Sequence, residues 1–307
     1  MPMMRLDFQN CGQANEGFGQ LKINVQGTQL EVGKLRGTIE ATFLDDCIFM
    51  SSFVDRRTLF TGGRMPGMTP LCFMARGSES YYHGDTSQGG ELCGFSNRHT
   101  DTHVHWIGEL CVTYLPTRRL QAYLHSIGAH VALDRMDNIN GLRLSRVNAR
   151  SLERMFRRGL AGDLVTADQV YGRVAMLLEE PVEHEPEAWD PKRDMVLRML
   201  VQLAHENAKQ KPLSVPEIVN ALGLSQSQEK TLRRKCKEAY GMGIAQLVKR
   251  VRLEQARLSI MKDGLNVSGA ARRHHFVDQG KFSKDYKKVY GLLPNEDVWY
   301  QHPRFDL

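Results

Sequence analysis

The chain has 307 residues, with 41 Lys+Arg against 35 Asp+Glu, and 41% of them are hydrophobic. That length and apolar content suffice for two packed domains and exclude wholesale disorder. No run of about 18 apolar residues occurs, which excludes a membrane-spanning helix.

The opening MPMMRLDFQNCG lacks the charged-then-apolar pattern of a signal peptide, so a cytoplasmic location is expected. Six cysteines (Cys11, Cys47, Cys72, Cys93, Cys111, Cys236) stand without a CxxC pair. In a chain this long they predict reduced thiols, not a disulfide framework. The charge is uneven. From Asp190 to Leu307 there are 22 Lys+Arg and 13 Asp+Glu, net +9; the remainder has 41 − 22 = 19 against 35 − 13 = 22, net −3. Affinity for a polyanion is therefore expected in the second part.

Residues 1 to about 116 read as β-rich. Short alternations such as Leu21, Ile23, Val25 and the run 38–43 are separated by Gly-containing turns, with Gly62-Gly63 and Gly89-Gly90 marking further turns. This pattern predicts a sandwich or small barrel. From Pro116 the character changes. Residues 117–127, 148–160 and 166–178 read as helices, and Thr166 is placed to cap the last. Leu152, Met155 and Phe156 on one helix and Val170, Val174, Leu177 and Leu178 on the next form apolar stripes. Such stripes fill a core or face a second subunit, so helices 148–178 are a candidate homodimer surface. Residues 179–191, EEPVEHEPEAWDP, are acidic with three prolines and read as a linker. The expected division is a regulatory and dimerisation domain over 1–180, a linker over 181–191 and a DNA-binding domain over 192–307.

After a helix over 190–210, Ser214-Val-Pro-Glu217 forms a capping box, followed by the apolar Ile218, Val219 and Leu222. A turn at 223–225 leads to a helix over Gln226–Tyr240, closed by Gly241. Residues 267–294 repeat this unit. Asn266 caps a short helix, Phe276 anchors the turn, and Phe282, Tyr286, Val289 and Tyr290 line one side of a second helix. Val215 matches Val267 and Leu224 matches Phe276 at an offset of 52, whereas Leu232 with Phe282, Tyr240 with Tyr290 and Gly241 with Gly291 keep an offset of 50. The first copy therefore carries two extra residues after its turn. Between the copies, residues 244–261 form an uninterrupted helix of roughly 27 Å. That length suits two reading helices set in major-groove segments roughly 34 Å apart. The candidate DNA contacts are Gln228, Lys230, Thr231 and Arg234 in the first copy and Gln279, Lys281, Ser283 and Lys284 in the second. Gln suits adenine and Lys suits guanine, and each is equally suited to phosphate. Lys287, Lys288, Arg272 and Arg273 fit phosphate or solvent better.

Leu253-Glu-Gln-Ala-Arg257, followed by Val267, Ala270, Phe276, Phe282, Tyr286-Lys287, Gly291 and Pro294, resembles the signature of the AraC/XylS family of bacterial transcription regulators. The run Gly280-Lys-Phe-Ser-Lys-Asp-Tyr286 is most similar to the branch of ethanolamine-operon and aromatic-degradation activators. The resemblance covers about residues 190–300. It implies an α+β chain: an N-terminal cupin-like β-barrel with appended helices, and a C-terminal all-α domain of two helix-turn-helix units joined by a central helix. It also implies an activator more than a repressor, RNA polymerase as a partner, a small-molecule effector held in the N-terminal domain, and no enzymatic activity. Three departures stand out. His275 occupies the usual turn-glycine position, Gly243-Ile244 stands where a proline usually follows, and the first reading helix carries the extra 225–228 stretch.

His103-Val-His105 with Glu109, and His99 nearby, give an HxHxxxE spacing as in metal-binding cupins. The flanking glycines of that motif are replaced by Asn97 and Pro116, and no second ligand half follows. Histidines on a polar strand face are expected, with no metal or cofactor. A metal-dependent cupin enzyme or sensor located on DNA by its C-terminal units is the alternative. A regulator controlled by a partner protein is a third reading, marked by a barrel filled with side chains. Phe43, Phe49, Phe53, Phe73 and Trp106 are candidate walls of an effector pocket.

Overall fold

A computed structural model describes residues 3–75, 77–88, 90–99, 101–163, 166–181 and 194–297. The fold is α+β, an open antiparallel sheet followed by helices. In chain order the strands and first helix are β1 (Met3–Phe8), α1 (Cys11–Gln20), β2 (Val25–Gln29), β3 (Gly37–Leu44), β4 (Cys47–Gly63), β5 (Met68–Met74), β6 (Glu79–Tyr82), β7 (Asp85–Gln88), β8 (Glu91–Cys93) and β9 (Asp101–Pro116). Helices α2 (Thr117–Ser126) and α3 (His130–Asn138), strand β10 (Gly141–Arg143), and helices α4 (Arg146–Leu160) and α5 (Ala167–Glu179) follow. The C-terminal helices are α6 (Met195–Glu206), α7 (Val215–Ala221), α8 (Gln226–Tyr240), α9 (Ile244–Met261), α10 (Val267–Arg273) and α11 (Gln279–Tyr290).

The main strand order is β1-β3-β4-β9-β5-β8-β10, with β2 added to β4 and the β6–β7 hairpin added to β9. The long central strands change partners part-way. β4 pairs with β3 up to Val54 and with β2 from Thr58, after a bulge. β9 pairs with β6 up to Ile107 and with β5 from Leu110. Gly108 sits at this changeover with φ +91, and a Cβ there would lie 2.2 Å from Ser78 Oγ, so only glycine fits.

Alternation along β9 separates two cores. Val104, Trp106, Leu110, Val112 and Tyr114 pack with Met50, Phe60 and α1 residues into an inner cluster. Cys111 and Leu115 face the other way, beneath helices α2–α5, where Phe49 and Phe73 pack on Phe156. A third cluster joins Leu59 and Tyr81 of the sheet to α6, α8 and α9. All six thiols are free and buried.

Two helices go beyond the sequence expectation. α1 lies in a segment read as β-rich; Asn10 caps it by accepting from Gln13 N at 2.9 Å, and it buries Cys11, Ala14 and Phe18. Its short, glycine-containing sequence has too little period to read in advance. α3 follows the Gly128 turn and buries Ala132 and Met136. Leu21 and Ile23 are buried in the turn before β2 instead of on a strand. The linker expected over 181–191 lies outside the described residues from 182 onward.

Glu254, Arg257 and Tyr286 of the signature join Tyr290 and Asp297 in a buried polar network. Arg257 Nε lies 2.6 Å from Asp297 Oδ2. Tyr286 donates to the same carboxylate at 2.6 Å, and Tyr290 donates to Glu254 Oε2 at 3.0 Å. The Arg257 guanidinium stands 4.3 Å from the centre of the Tyr290 ring. Burial alone would lower the Arg257 pKa; the nearby Asp297 and Glu254 outweigh it and hold it above the usual value. Removing the cation strands two buried carboxylates. Arg257→Ala is therefore expected to cost about 3–5 kcal/mol in urea unfolding; a loss below about 1 kcal/mol would show that the network does not hold these helices.

Candidate nucleic-acid interface

Two helix pairs, α7–α8 and α10–α11, flank α9. Each pair opens with a seven-residue helix capped by a side chain: Ser214 accepts from Glu217 N at 3.4 Å, and Asn266 accepts from Gly269 N at 2.7 Å. Each longer helix ends on a left-handed glycine, Gly241 (φ +71) and Gly291 (φ +76). α9 is buried along most of its length, Arg250, Arg252, Glu254 and Arg257 included. Lys249 Nζ reaches Asp285 Oδ2 of α11 at 2.5 Å, and His274 bridges Ala208 O at 3.0 Å and Ser259 at 2.9 Å. The second pair is thus tied both to α9 and to the segment after α6.

Residues 218–297 match the model of a helix-turn-helix domain family. The chain thus carries a helix-turn-helix domain in its C-terminal part. A helix-turn-helix domain of this kind supports DNA binding. No curated protein matches the chain. Among solved structures, the C-terminal domain of AraT, a response regulator from Geobacillus stearothermophilus, is 22% identical, covering 36% of this chain and 92% of that one with a TM-score of 0.31. The AraC-like transcriptional activator CuxR is 14% identical over 83% of this chain and 96% of its own, with a TM-score of 0.40. ToxT from Vibrio cholerae O395 is 11% identical over 89% of this chain and 96% of its own, with a TM-score of 0.32.

The helix-turn-helix domain places the candidate DNA contacts on two exposed faces. Gln228, Lys230, Thr231 and Arg234 are exposed on α8; Gln279, Lys281 and Lys284 are exposed on α11, and Ser283 is half-buried. Two of them already have partners within the chain. Gln228 Oε1 accepts from Ser225 N at 2.8 Å as part of a capping box, and Arg234 pairs with Glu238 at 2.9 Å. Sequence reasoning passed over Val277, fully exposed just before the Asp278 cap of α11. The extra residues of the first copy do not bulge from its turn. They lengthen the helix instead: α8 has 15 residues and α11 has 12.

The histidines and the glutamate of the HxHxxxE motif separate. His103 and His105 share the face of β9 that meets α8, as alternation predicts. The His103 ring nitrogen lies 2.8 Å from the Tyr240 hydroxyl, and His105 Nε2 donates to Ala239 O at 2.7 Å. Glu109 turns elsewhere and takes a bidentate pair with Arg157 at 2.5 and 2.6 Å, which holds its carboxyl below the usual range. His99 pairs with Asn140 at 2.6 Å. Among the described residues no group of three or more His, Cys, Asp or Glu is placed to hold a metal. Close by, buried His83 lies 3.5 Å from Asp194, while Arg198 reaches Asp101 at 2.9 Å and Asp194 at 3.2 Å. At the second pair, Val289 O accepts from Gly33 N at 2.8 Å. The first helix pair is therefore docked on the sheet and the second on the loop that follows β2.

Of the five proposed wall residues, Trp106 lines the inner cavity and Phe43 packs on the same cluster. Phe49 and Phe73 lie under α4, and Phe53 is 43% exposed. Phe18 and Phe60, which the sequence did not single out, line the cavity as well.

Burial lowers the pKa of both His103 and His105 to about 3, from an ordinary 6.5, so each is neutral when docked. The sign follows. Docking is at full strength above pH 6.5 and weakens as the pH falls toward 3, because undocked histidines take up protons first. Each histidine contributes up to about 1.4 kcal/mol per pH unit in that window. Hydrogen exchange of α8 is expected to accelerate between pH 6.5 and 5 in the native chain, and much less in His103→Gln/His105→Gln. Equal acceleration in both would show that other groups govern the contact.

The turn of the second unit holds His275 at φ +53, where the first unit has Gly223 at φ +68. A non-glycine residue there costs about 1–2 kcal/mol, and glycine's extra unfolded-state freedom costs about 0.5–1. His275→Gly is therefore expected to stabilise the chain by about 0.5–1 kcal/mol in denaturant unfolding. Destabilisation by that substitution would mean that the imidazole is held by a compensating contact.

Proposed function

We propose that the C-terminal domain, 192–307, reads duplex DNA through two helix-turn-helix units, α7–α8 and α10–α11, held apart by α9. The observation that carries this reading is the pairing itself: two glycine-closed helices with exposed cationic faces on either side of one buried 18-residue helix. Lys230, Thr231, Arg234, Gln279, Lys281, Ser283 and Lys284 are the proposed contacts. Gln228 joins them only by releasing the cap it now completes. Activation, with RNA polymerase as partner and the cytoplasm as location, follows from the family resemblance. So does a cupin-like description of the N-terminal part, 1–180, joined through a linker over 181–191. The buried inner cluster on one face of the sheet supports that description.

Two observations shape how the regulator is controlled. The inner cluster leaves a cavity of about 50 Å³, enough for a water or two, whereas small-molecule sites span about 300–1,000 Å³. A core this full favours control by a partner protein over an effector held inside the inner cluster. For a homodimer through 148–178, α5 is the better face, because Met176 is 62% exposed on it while α4 presents arginines.

Footprinting on a duplex selected by the native chain tests the reading. Arg234→Ala and Lys281→Ala are each expected to weaken specific binding by about 1–3 kcal/mol, on different half-elements. Unchanged occupancy in both variants would end the two-unit reading.

A further inference from the structure

The first 189 residues carry a net charge of −3, yet α4, RVNARSLERMFRRGL, holds five arginines and one carboxylate. That carboxylate, Glu153, turns to Arg157, which is already paired with Glu109. Arg146, Arg150 and Arg154 are exposed, and among the described residues none of them has a partner. Their i, i+4, i+8 spacing sets them in one row, each about 6 Å further along the axis, and Arg143 lies just ahead of it. Like charges at this spacing each cost a helix a few tenths of a kcal/mol, and among the described residues no carboxylate pairs with these three arginines to offset it.

We propose that this arginine row on the regulatory half binds the phosphate backbone of duplex DNA flanking the site read by the C-terminal helices. The inference rests on the DNA-binding reading and extends it to a second surface. Two features favour DNA over an acidic protein. The cations are all arginine: the stretch 101–180 holds ten Arg and no Lys, and the planar guanidinium fork fits phosphate oxygens bidentately. The row also lacks the exposed aromatic and aliphatic anchors on which protein interfaces depend; apart from Val147, its apolar neighbours are buried or half-buried. A charge-only row of regular spacing suits a regularly charged rod that needs no sequence reading.

The test is the salt dependence of binding by the full chain. One duplex covers only the two half-elements, about 20 base pairs, and the other adds about 30 base pairs on each side. Each phosphate contact adds about 0.9 to the slope of log affinity against log salt. For Arg146→Ala/Arg150→Ala/Arg154→Ala the slope is expected to shrink by about 2–3 on the long duplex and to stay unchanged on the short one, which also shows that the variant folds. The triple Arg→Lys variant keeps the charge and most of the slope. An unchanged slope on the long duplex overturns the proposal, and lost transcription with that unchanged slope would identify an acidic protein as the ligand of the row. An equal fall on both duplexes overturns the flanking assignment. If the native chain bound neither duplex, the DNA reading itself would fail.

Discussion

The two-residue period of β9 is the constraint on which the rest of the arrangement depends. Every second side chain of this strand changes side, so a single sequence serves two environments. Val104 and Trp106 go inward to apolar neighbours, while His103 and His105 go outward to meet α8. Further along, Leu110 and Val112 go inward while Cys111 and Leu115 receive the helices after Pro116. A one-residue slip of β9 against β4 would put imidazoles in the inner core and indole against Tyr240. The register over Ile48–Gly63 therefore fixes where both helical layers sit.

The same alternation shows why the HxHxxxE spacing misleads. A strand places His103 and His105 side by side, as the motif requires. But Gly108 breaks the strand's partnering before Glu109, and Arg157 from α4 claims that carboxylate. Whether such a spacing becomes a metal site depends on what packs over it, and that information lies more than forty residues away in the chain.

Legibility followed local signal strength. The bounds of α8 and α9 were readable to the residue, because caps, closing glycines and apolar period agree there. Both αL turn positions were readable from the repeat, His275 included. α1 was not, since its helix depends on burial against the sheet more than on its own pattern. The interior walls were confused for the same reason. Phe49 and Trp106 look alike in sequence, and only the register and the covering helices assign them to opposite faces. At the interface the cationic faces were legible, but the engagement of Gln228 in a cap and of Arg234 with Glu238 was not. The docking of Tyr240 on β9 joins residues 137 apart, and no local pattern announces it.

The extra length of α8 has a mechanical consequence. This helix is anchored at one end, where Tyr240 and Ala239 meet the two histidines, and it carries its exposed polar residues toward the other. Fifteen residues make an arm of about 22 Å. A tilt of about 5° at the anchored end moves the far end through about 2 Å, roughly a third of the rise of one helical turn. Leu232 and Cys236 pack on α6 and α9 along that arm, so a displacement of this size carries the neighbouring helices with it and is large enough to bring a side chain of the exposed face into or out of hydrogen-bonding range.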